Sequence, residues 1–480
     1  MTLQKADIVI RNAQLIDGTD SPMATGDLAI KGDRICAMGD LKNWHGNQEI
    51  DAGGKTLSPG FIDVHTHDDR ALLADPLMAC KVSQGVTTVI TGNCGISLAP
   101  IKVEGYPPPP LDILSPNRSD FFDRFSDYLA ALSTEPPAVN AACQVGHSSL
   151  RAEAMDSLDR QATAKEINAM RRRLEQAMED GAIGMSTGLF YKPAREAATS
   201  EVIELAKSLP QYGGIHTTHM RDESDHITEA LNESFEIGRA ANVPVVISHH
   251  KCAGQNNHGR SIETLALIDK AMEQQSIGLD AYPYIAGSTV LDAGRTMGAT
   301  RILITWSTPH PECAGKDLFE LAKSWKLSVE ATADRLQPAG AVYFMMAEED
   351  VQRILSYPHT MIGSDGLPHD TQPHPRLWGT FPRVLGHYAR DLGLFSMEEA
   401  VRKMTLLPAK QFKLKDRGLL AVGHFADLVL FDRNTIVDTA TFEQPMLQAK
   451  GIDQVFVNGH CVWRDGSSTG QRSGEVLRTH

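Results

Sequence analysis

The alternation of apolar and polar positions divides the chain into three regimes. Between residues 7 and 57 short β-patterned runs are separated by turn residues. Asp7-Ile8-Val9-Ile10 leads to Ala13-Gln14-Leu15-Ile16 and then Asp17-Gly18; Asp27-Leu28-Ala29-Ile30 leads through Gly32-Asp33 to Ile35. Such Gly-Asp and Asp-Gly pairs are hairpin signals, and no segment of helical period intervenes, so this stretch reads as a small antiparallel β unit. From Phe61 the pattern becomes strand, helix, strand. Strands are predicted at 61–65, 87–90, 139–145, 182–185, 214–218, 244–248, 277–281 and 360–363. Amphipathic helices lie between them, as at 164–178, where Ile167, Met170, Leu174 and Met178 recur at helical spacing. Others are predicted at 199–209, 226–240 and 262–274. Eight strands alternating with helices over residues 59–415 predict a (β/α)8 barrel of the TIM type.

One connection is longer than a barrel needs. More than seventy residues separate Tyr284 from Thr360, and 317–336 reads as helical, which predicts a folded, lid-like insertion at about 286–345. After Lys415 the β pattern returns. Ala426-Asp427-Leu428-Val429-Leu430-Phe431 is followed by Ile452 to Val457 and by a hairpin around Asn458-Gly459. Residues 1–58 and 416–480 are therefore expected to pair into one discontinuous small β domain flanking the barrel.

Composition narrows the function. The 480 residues carry a formal charge of −14, with no Lys/Arg run to track a phosphate backbone, which argues against nucleic acid and anionic membrane as partners. The amino terminus lacks the layout of a signal peptide and no apolar run reaches membrane-spanning length. Seven scattered cysteines do not form a disulfide framework. The expectation is a soluble, cytoplasmic enzyme, monomeric or a small homo-oligomer, acting on a small molecule.

Candidate chemistry falls at the strand ends. In Phe61-Ile62-Asp63-Val64-His65-Thr66-His67 the period of two puts Asp63, His65 and His67 on one face. Cys94 follows the second strand in Gly92-Asn93-Cys94-Gly95, His219 the fifth, His249-His250-Lys251 the sixth, and Asp365 the eighth. Barrel active sites are built at this carboxyl-terminal rim. Singly, a buried cysteine or histidine is an ordinary core residue; all of them on one rim are hard to explain by packing. Strand parity separates His249 from His250 without saying which faces inward. Thiolate with imidazole favours zinc. A carboxylate such as Asp365 beside that site can be a ligand, or can take a proton from water and give it to a leaving amine. Together these parts suit metal-assisted hydrolysis of an amide or a related bond. Lys251, Tyr282, Ser288 and Arg376 lie close enough in sequence to the strand ends to form a clamp for a carboxylate.

Ser58-Pro59-Gly60-Phe61-Ile62-Asp63-Val64-His65-Thr66-His67 resembles the opening signature of the amidohydrolase superfamily, and Ala426-Asp427-Leu428-Val429 with Val457-Asn458-Gly459 resembles its small β domain. Within it, Gly92-Asn93-Cys94-Gly95, His219-Met220-Arg221-Asp222-Glu223, Ser248-His249-His250-Lys251 and Gly363-Ser364-Asp365-Gly366 are similar to the D-aminoacylases, which hydrolyse N-acyl-D-amino acids. The resemblance implies a tight zinc on Cys94, His219 and His249, with His250 outside the ligand set, and a second, weaker position lined by His65, His67 and Asp365. Hydantoinase-like relatives bridge two metals with a carboxylated lysine on strand four. That strand here reads Gly184-Met185-Ser186-Thr187-Gly188, with no lysine before Lys192. The side-chain pocket is expected between Val290, Leu291 and Met297 of the insertion and the Leu189-Phe190-Tyr191 loop, whose apolar character favours D-methionine, D-leucine or D-phenylalanine over acidic residues. The choice of D over L comes from the resemblance. The alternatives are another enzyme of the superfamily, acting on a cyclic amide or a heterocyclic amine, and a non-catalytic barrel.

Overall fold

A computed structural model describes residues 3–295 and 298–479. Its centre is a ring of eight parallel strands: β1 (Phe61–Asp63), β2 (Val86–Thr91), β3 (Asn140–Cys143), β4 (Gly184–Gly188), β5 (Ile215–His219), β6 (Val245–Ile247), β7 (Ile277–Ala281) and β8 (Thr360–Ile362). β1, β2 and β3 pair in order. At Gln144 the third strand breaks and resumes as Val145–Gly146, which pairs with β4. Pairing then runs through β5, β6 and β7 to β8. The seam between β8 and β1 is short. It consists of a bridge between Thr66 and Gly366, the Asp365 N–H donating to the His65 carbonyl at 2.8 Å, and a longer contact of 3.5 Å from Val64 N–H to Ile362.

The barrel interior is filled, as the fold requires. Ile62, Val64, Ile90, Ala142, Ile183, Ile215, Val246 and Met361 form one apolar cluster, closed from below by Ala409, Phe412 and Leu414. The outer layer is the larger cluster between strands and helices, to which Met170, Leu174 and Met178 contribute. Their helix, Ala164–Asp180, starts where the sequence can satisfy its free N–H groups. Thr163 and Glu166 form a reciprocal capping box, and Gly181 ends the helix at φ 115°.

Both chain ends enter one nine-stranded sheet, joined where Thr56–Pro59 runs antiparallel to Leu428–Phe431. This sheet is mixed rather than antiparallel. Gln4–Leu15 pairs in parallel with both Trp44–Asp51 and Thr56–Pro59, because the chain leaving Arg34–Gly39 crosses to the far edge of the first strand. Hairpin signals report sequential neighbours and are blind to that crossing. The last residues leave this layer, with Val476–Leu477 pairing in parallel with β3 at the barrel.

The insertion is a three-stranded antiparallel sheet (Ala286–Val290, Arg301–Ser307, Ala339–Phe344) covered by two helices. The single helical stretch read at 317–336 is in fact Leu318–Trp325 and Val329–Leu336. Lys326 in the left-handed conformation stops the first helix, and the Ser328 hydroxyl caps the second. Among the described residues all seven cysteines are free thiols, and no helix is long and apolar enough to cross a membrane.

Candidate metal and substrate site

The strand ends deliver their polar side chains to one buried point. Cys94 Sγ lies 3.2 Å from His65 Nε2 and 3.4 Å from His249 Nε2, and His249 Nε2 is 3.0 Å from His219 Nδ1. Asp365 Oδ1 is 3.3 Å from His67 Nε2 and 3.5 Å from His65 Nε2. Two groups of donors therefore form, Cys94 with His219 and His249, and Cys94 with His65, His67 and Asp365, and Cys94 belongs to both. An ion with tetrahedral bonds of about 2.1 Å holds its ligands about 3.4 Å apart, close to the spacing around Cys94. Among the described residues the buried Nδ1 of His67 and Nε2 of His219 have no hydrogen-bond partner. The donor set and its spacing fit a zinc-type ion.

Three of these residues have strained backbones. Cys94, His249 and Asp365 have φ of 53°, 35° and 50°, in the left-handed region that non-glycine residues avoid at a cost of about 1–3 kcal/mol each. The surroundings hold them there. Asp280 Oδ1 accepts the His249 N–H at 2.9 Å, and the Ser186 hydroxyl accepts the Gly95 N–H at 2.9 Å. Gly95 and Gly188 allow the Cys94 turn to sit against β4; a Cβ on Gly188 would lie 2.1 Å from the Cys94 carbonyl oxygen.

The alternation read from the sequence does not carry through to His65. The ladder of β1 ends at Asp63, which points away from the rim to the buried ammonium of Lys81 at 2.8 Å. His65 and His67 turn inward only after the strand has ended. His249, not His250, faces the cluster; the His250 Nε2 meets the Thr264 hydroxyl at 2.9 Å on the helix side.

Electrostatics favours the ionised thiol and carboxylate here. Burial raises the Cys94 thiol, but the neighbouring His65 and His249 outweigh it and hold the thiol well below its usual range. Burial likewise opposes ionisation of Asp365, and is outweighed first by Arg376 and then by His65. The Arg376 guanidinium lies 2.8 Å from Asp365 Oδ2 and 4.5 Å from the centre of the Tyr282 ring. Glu223 gathers the other side, with Oε1 at 2.8 Å from His249 Nδ1 and 2.6 Å from Lys251 Nζ.

Above the cluster opens a cavity of about 300 Å³. Lys251, Tyr282, Ser288, Tyr191 and Asp365 line it, and Arg376 sits fully buried behind Tyr282. The Tyr191 ring lies 4.8 Å from that of His219, and its hydroxyl is 2.9 Å from Thr289 Oγ1. The apolar wall differs from the one expected. Leu291 is used in the insertion's own core, and Val290 does not line the cavity; Met297 lies outside the described residues. Phe190 and Tyr191 line the cavity as expected, and on the insertion side Tyr343 and Met345 supply the wall instead. Tyr343 and Met345 come from the far end of the insertion, which no local pattern ties to the rim. Sequence reasoning also passes over Asp280; an acidic residue inside the apolar strand Ile277–Ala281 is its signal.

Residues 48–299 and 318–463 match the amidohydrolase family. The chain belongs to that family. Among curated amidohydrolases it is 57% identical over 474 residues to the D-aminoacylase of Alcaligenes xylosoxydans xylosoxydans, covering 99% of this chain and 98% of the relative. It is 51% identical to the N-acyl-D-aspartate deacylase of the same organism, covering 98% and 95%. The crystal structure of a D-aminoacylase superposes with a TM-score of 0.97 at 57% identity, covering 98% of this chain and all of the other. The N-acyl-D-glutamate deacylase of Bordetella bronchiseptica, solved with zinc and a phosphonate mimic of the tetrahedral intermediate, superposes with 0.96 at 44% identity, covering 99% and 100%. Work on the solved D-aminoacylase describes a binuclear metal centre in which one metal activates and a second attenuates. As an amidohydrolase this chain is a metal-dependent hydrolase.

Proposed function

We propose that this amidohydrolase uses zinc to hydrolyse the amide bond of N-acyl-D-amino acids, releasing a carboxylate and a free D-amino acid, with apolar D-side chains preferred. One observation carries the reading: a single cavity joins the Cys94–His219–His249 cluster to Tyr282, Ser288 and Lys251, and to a wall of Phe190, Tyr343 and Met345. The D-aminoacylase likeness over nearly the whole chain supports it. Cys94, His219 and His249 would hold the tighter zinc; His65, His67 and Asp365, sharing Cys94, suit a second, weaker ion. Bound zinc polarises the scissile carbonyl and makes water acidic enough to attack near neutral pH. Asp365, kept ionised by Arg376, accepts the proton of the attacking water and returns it to the departing amine nitrogen. Tyr282, Ser288 and Lys251 hold the α-carboxylate, with Arg376 adding positive charge behind Tyr282.

Fixing carbonyl and carboxylate leaves the enantiomers differing in where the side chain goes, into the cavity or into its wall. The wall left to receive the side chain, Phe190, Tyr343 and Met345, is aromatic and apolar, which supports an apolar D-side chain. The rival reading, a cyclic amidase, meets β4 without a lysine.

Specificity constants on N-acetyl-D-methionine, D-leucine and D-phenylalanine should exceed that on N-acetyl-L-methionine by at least about 10²-fold, the scale on which ångström misplacement is felt. They should also exceed those on N-acetyl-D-aspartate and D-glutamate. Equal rates on D- and L-methionine would sink the stereochemical reading; better rates on the acidic substrates would sink the apolar preference; ring opening of a hydantoin would favour the rival. Arg376→Ala should raise KM for both enantiomers alike while zinc content stays as in wild type. An unchanged KM would assign Arg376 to Asp365 alone.

A further inference from the structure

Beneath the site, between the barrel and the helix Ala79–Val82, lies a fully buried ammonium that the chemistry above does not use. Lys81 Nζ donates to Asp63 Oδ2 at 2.8 Å and to the Ser364 hydroxyl at 2.9 Å, and lies 3.2 Å from Asp68 Oδ2. None of the four residues has exposed surface. Their positions in the chain give the arrangement its meaning. Asp63 ends β1 two residues before His65, Asp68 follows His67, and Ser364 immediately precedes Asp365. Asp63 Oδ1 also accepts the Ser364 N–H at 2.8 Å, while the Ser364 hydroxyl accepts the Gly366 N–H at 3.2 Å. The network spans the seam between β8 and β1, where the backbone ladder is shortest and where Asp365 is held at a φ of 50°.

We propose that Lys81 is a positioning residue: it pins the Ser364-Asp365 turn to the segment from Asp63 to Asp68 and so sets the distance between Asp365 and the His65/His67 pair. A buried charge is an expensive way to fill space, since an apolar side chain of similar volume is often as stabilising or more so. What an ammonium adds is direction, with separate hydrogen bonds to Asp63 on one side of the seam and to Ser364 on the other, and an ion pair to Asp68. The short β1–β8 ladder supplies little of that definition itself. The inference rests on the reading of this rim as a hydrolytic metal centre.

Two variants separate positioning from stability. Ser364→Ala removes one tether and leaves the charges intact. Lys81→Met combined with Asp68→Asn removes the ammonium together with one of its two carboxylates, and leaves Asp63 supported by its N–H donors. Both are to be compared with wild type in thermal unfolding, zinc titration and kinetics on N-acetyl-D-methionine. The expected result is near-wild-type unfolding and one tightly held zinc in both variants, a weakened second zinc equivalent, and a fall in kcat approaching about 10²-fold in the double variant with KM little changed. Wild-type kcat and second-zinc affinity in both variants would overturn the proposal and leave Lys81 a packing residue. Loss of the first zinc in proportion to activity would also overturn it, because the effect would then run through the Cys94 cluster. If wild-type protein hydrolysed no N-acyl-D-amino acid the functional reading would fall, and the second-zinc titration would still decide the role of Lys81.

Discussion

Asp365→Asn is expected to lower kcat by about 10²–10⁴-fold, the usual worth of a positioned general base, with KM changed much less. The substitution keeps the shape of the side chain and a ligand oxygen but cannot take up the proton that water loses on attacking the carbonyl. In the proposed function Asp365 is the acceptor of that proton. It lines the cavity, it is 3.3 Å from His67 Nε2, and Arg376 at 2.8 Å keeps it ionised against burial. Glu223, the other buried carboxylate lining the cavity, is occupied by Lys251 and His249. Single-turnover and steady-state kinetics on N-acetyl-D-methionine check this. Near-normal turnover in the variant would move the proton to Glu223 or His67.

Cys94→Ala is expected to remove tightly bound zinc and activity together while the protein stays folded. Cys94 is the one residue common to both donor groups, so its loss opens both positions at once. Outer partners of metal ligands are worth about 10–100-fold in affinity, so a direct thiolate ligand should cost at least about 100-fold. The fold should tolerate the change because Gly92 and Gly95 hold the left-handed turn on either side and a small alanine side chain fits the space. The substitution adds no backbone strain, since the cysteine already bears a φ of 53° with a Cβ in place. Metal analysis after gel filtration, with far-UV circular dichroism as the control for folding, decides it. Wild-type zinc content would show that the thiol is a core residue.

Much of this protein can be read along the chain, and the reason is period. Strands such as Ile277–Ala281 and helices such as Ala164–Asp180 announce themselves through local patterns of burial and through caps that lie within a few residues, as Thr163 and Glu166 do. Because a barrel places every strand end on one rim, counting strands is enough to bring His65, His67, Cys94, His219, His249 and Asp365 together, and the structure does gather them. Lys251, Tyr282 and Ser288 follow strand ends and reach the cavity for the same reason.

What local pattern could not supply are relations across chain distance and departures from ideal period. The parallel pairing of Gln4–Leu15 with Trp44–Asp51 depends on a crossing no turn signal encodes. The break of β1 at Asp63 sends that carboxylate outward to Lys81 and lets His65 and His67 turn in, contrary to strict alternation. The ion pair between Arg376 and Asp365 is likewise invisible in the sequence, because burial of a lone guanidinium is costly and the fold brings the nearest carboxylate to it. The cavity wall of Phe190, Tyr343 and Met345 joins residues about 150 positions apart, brought together only when the insertion folds back over the rim. Composition and period act over one or two turns of chain and therefore specify elements and their order. The left-handed turns at Cys94, His249 and Asp365, and the pairing of buried charges beneath them, depend on packing among elements that meet only in the assembled barrel.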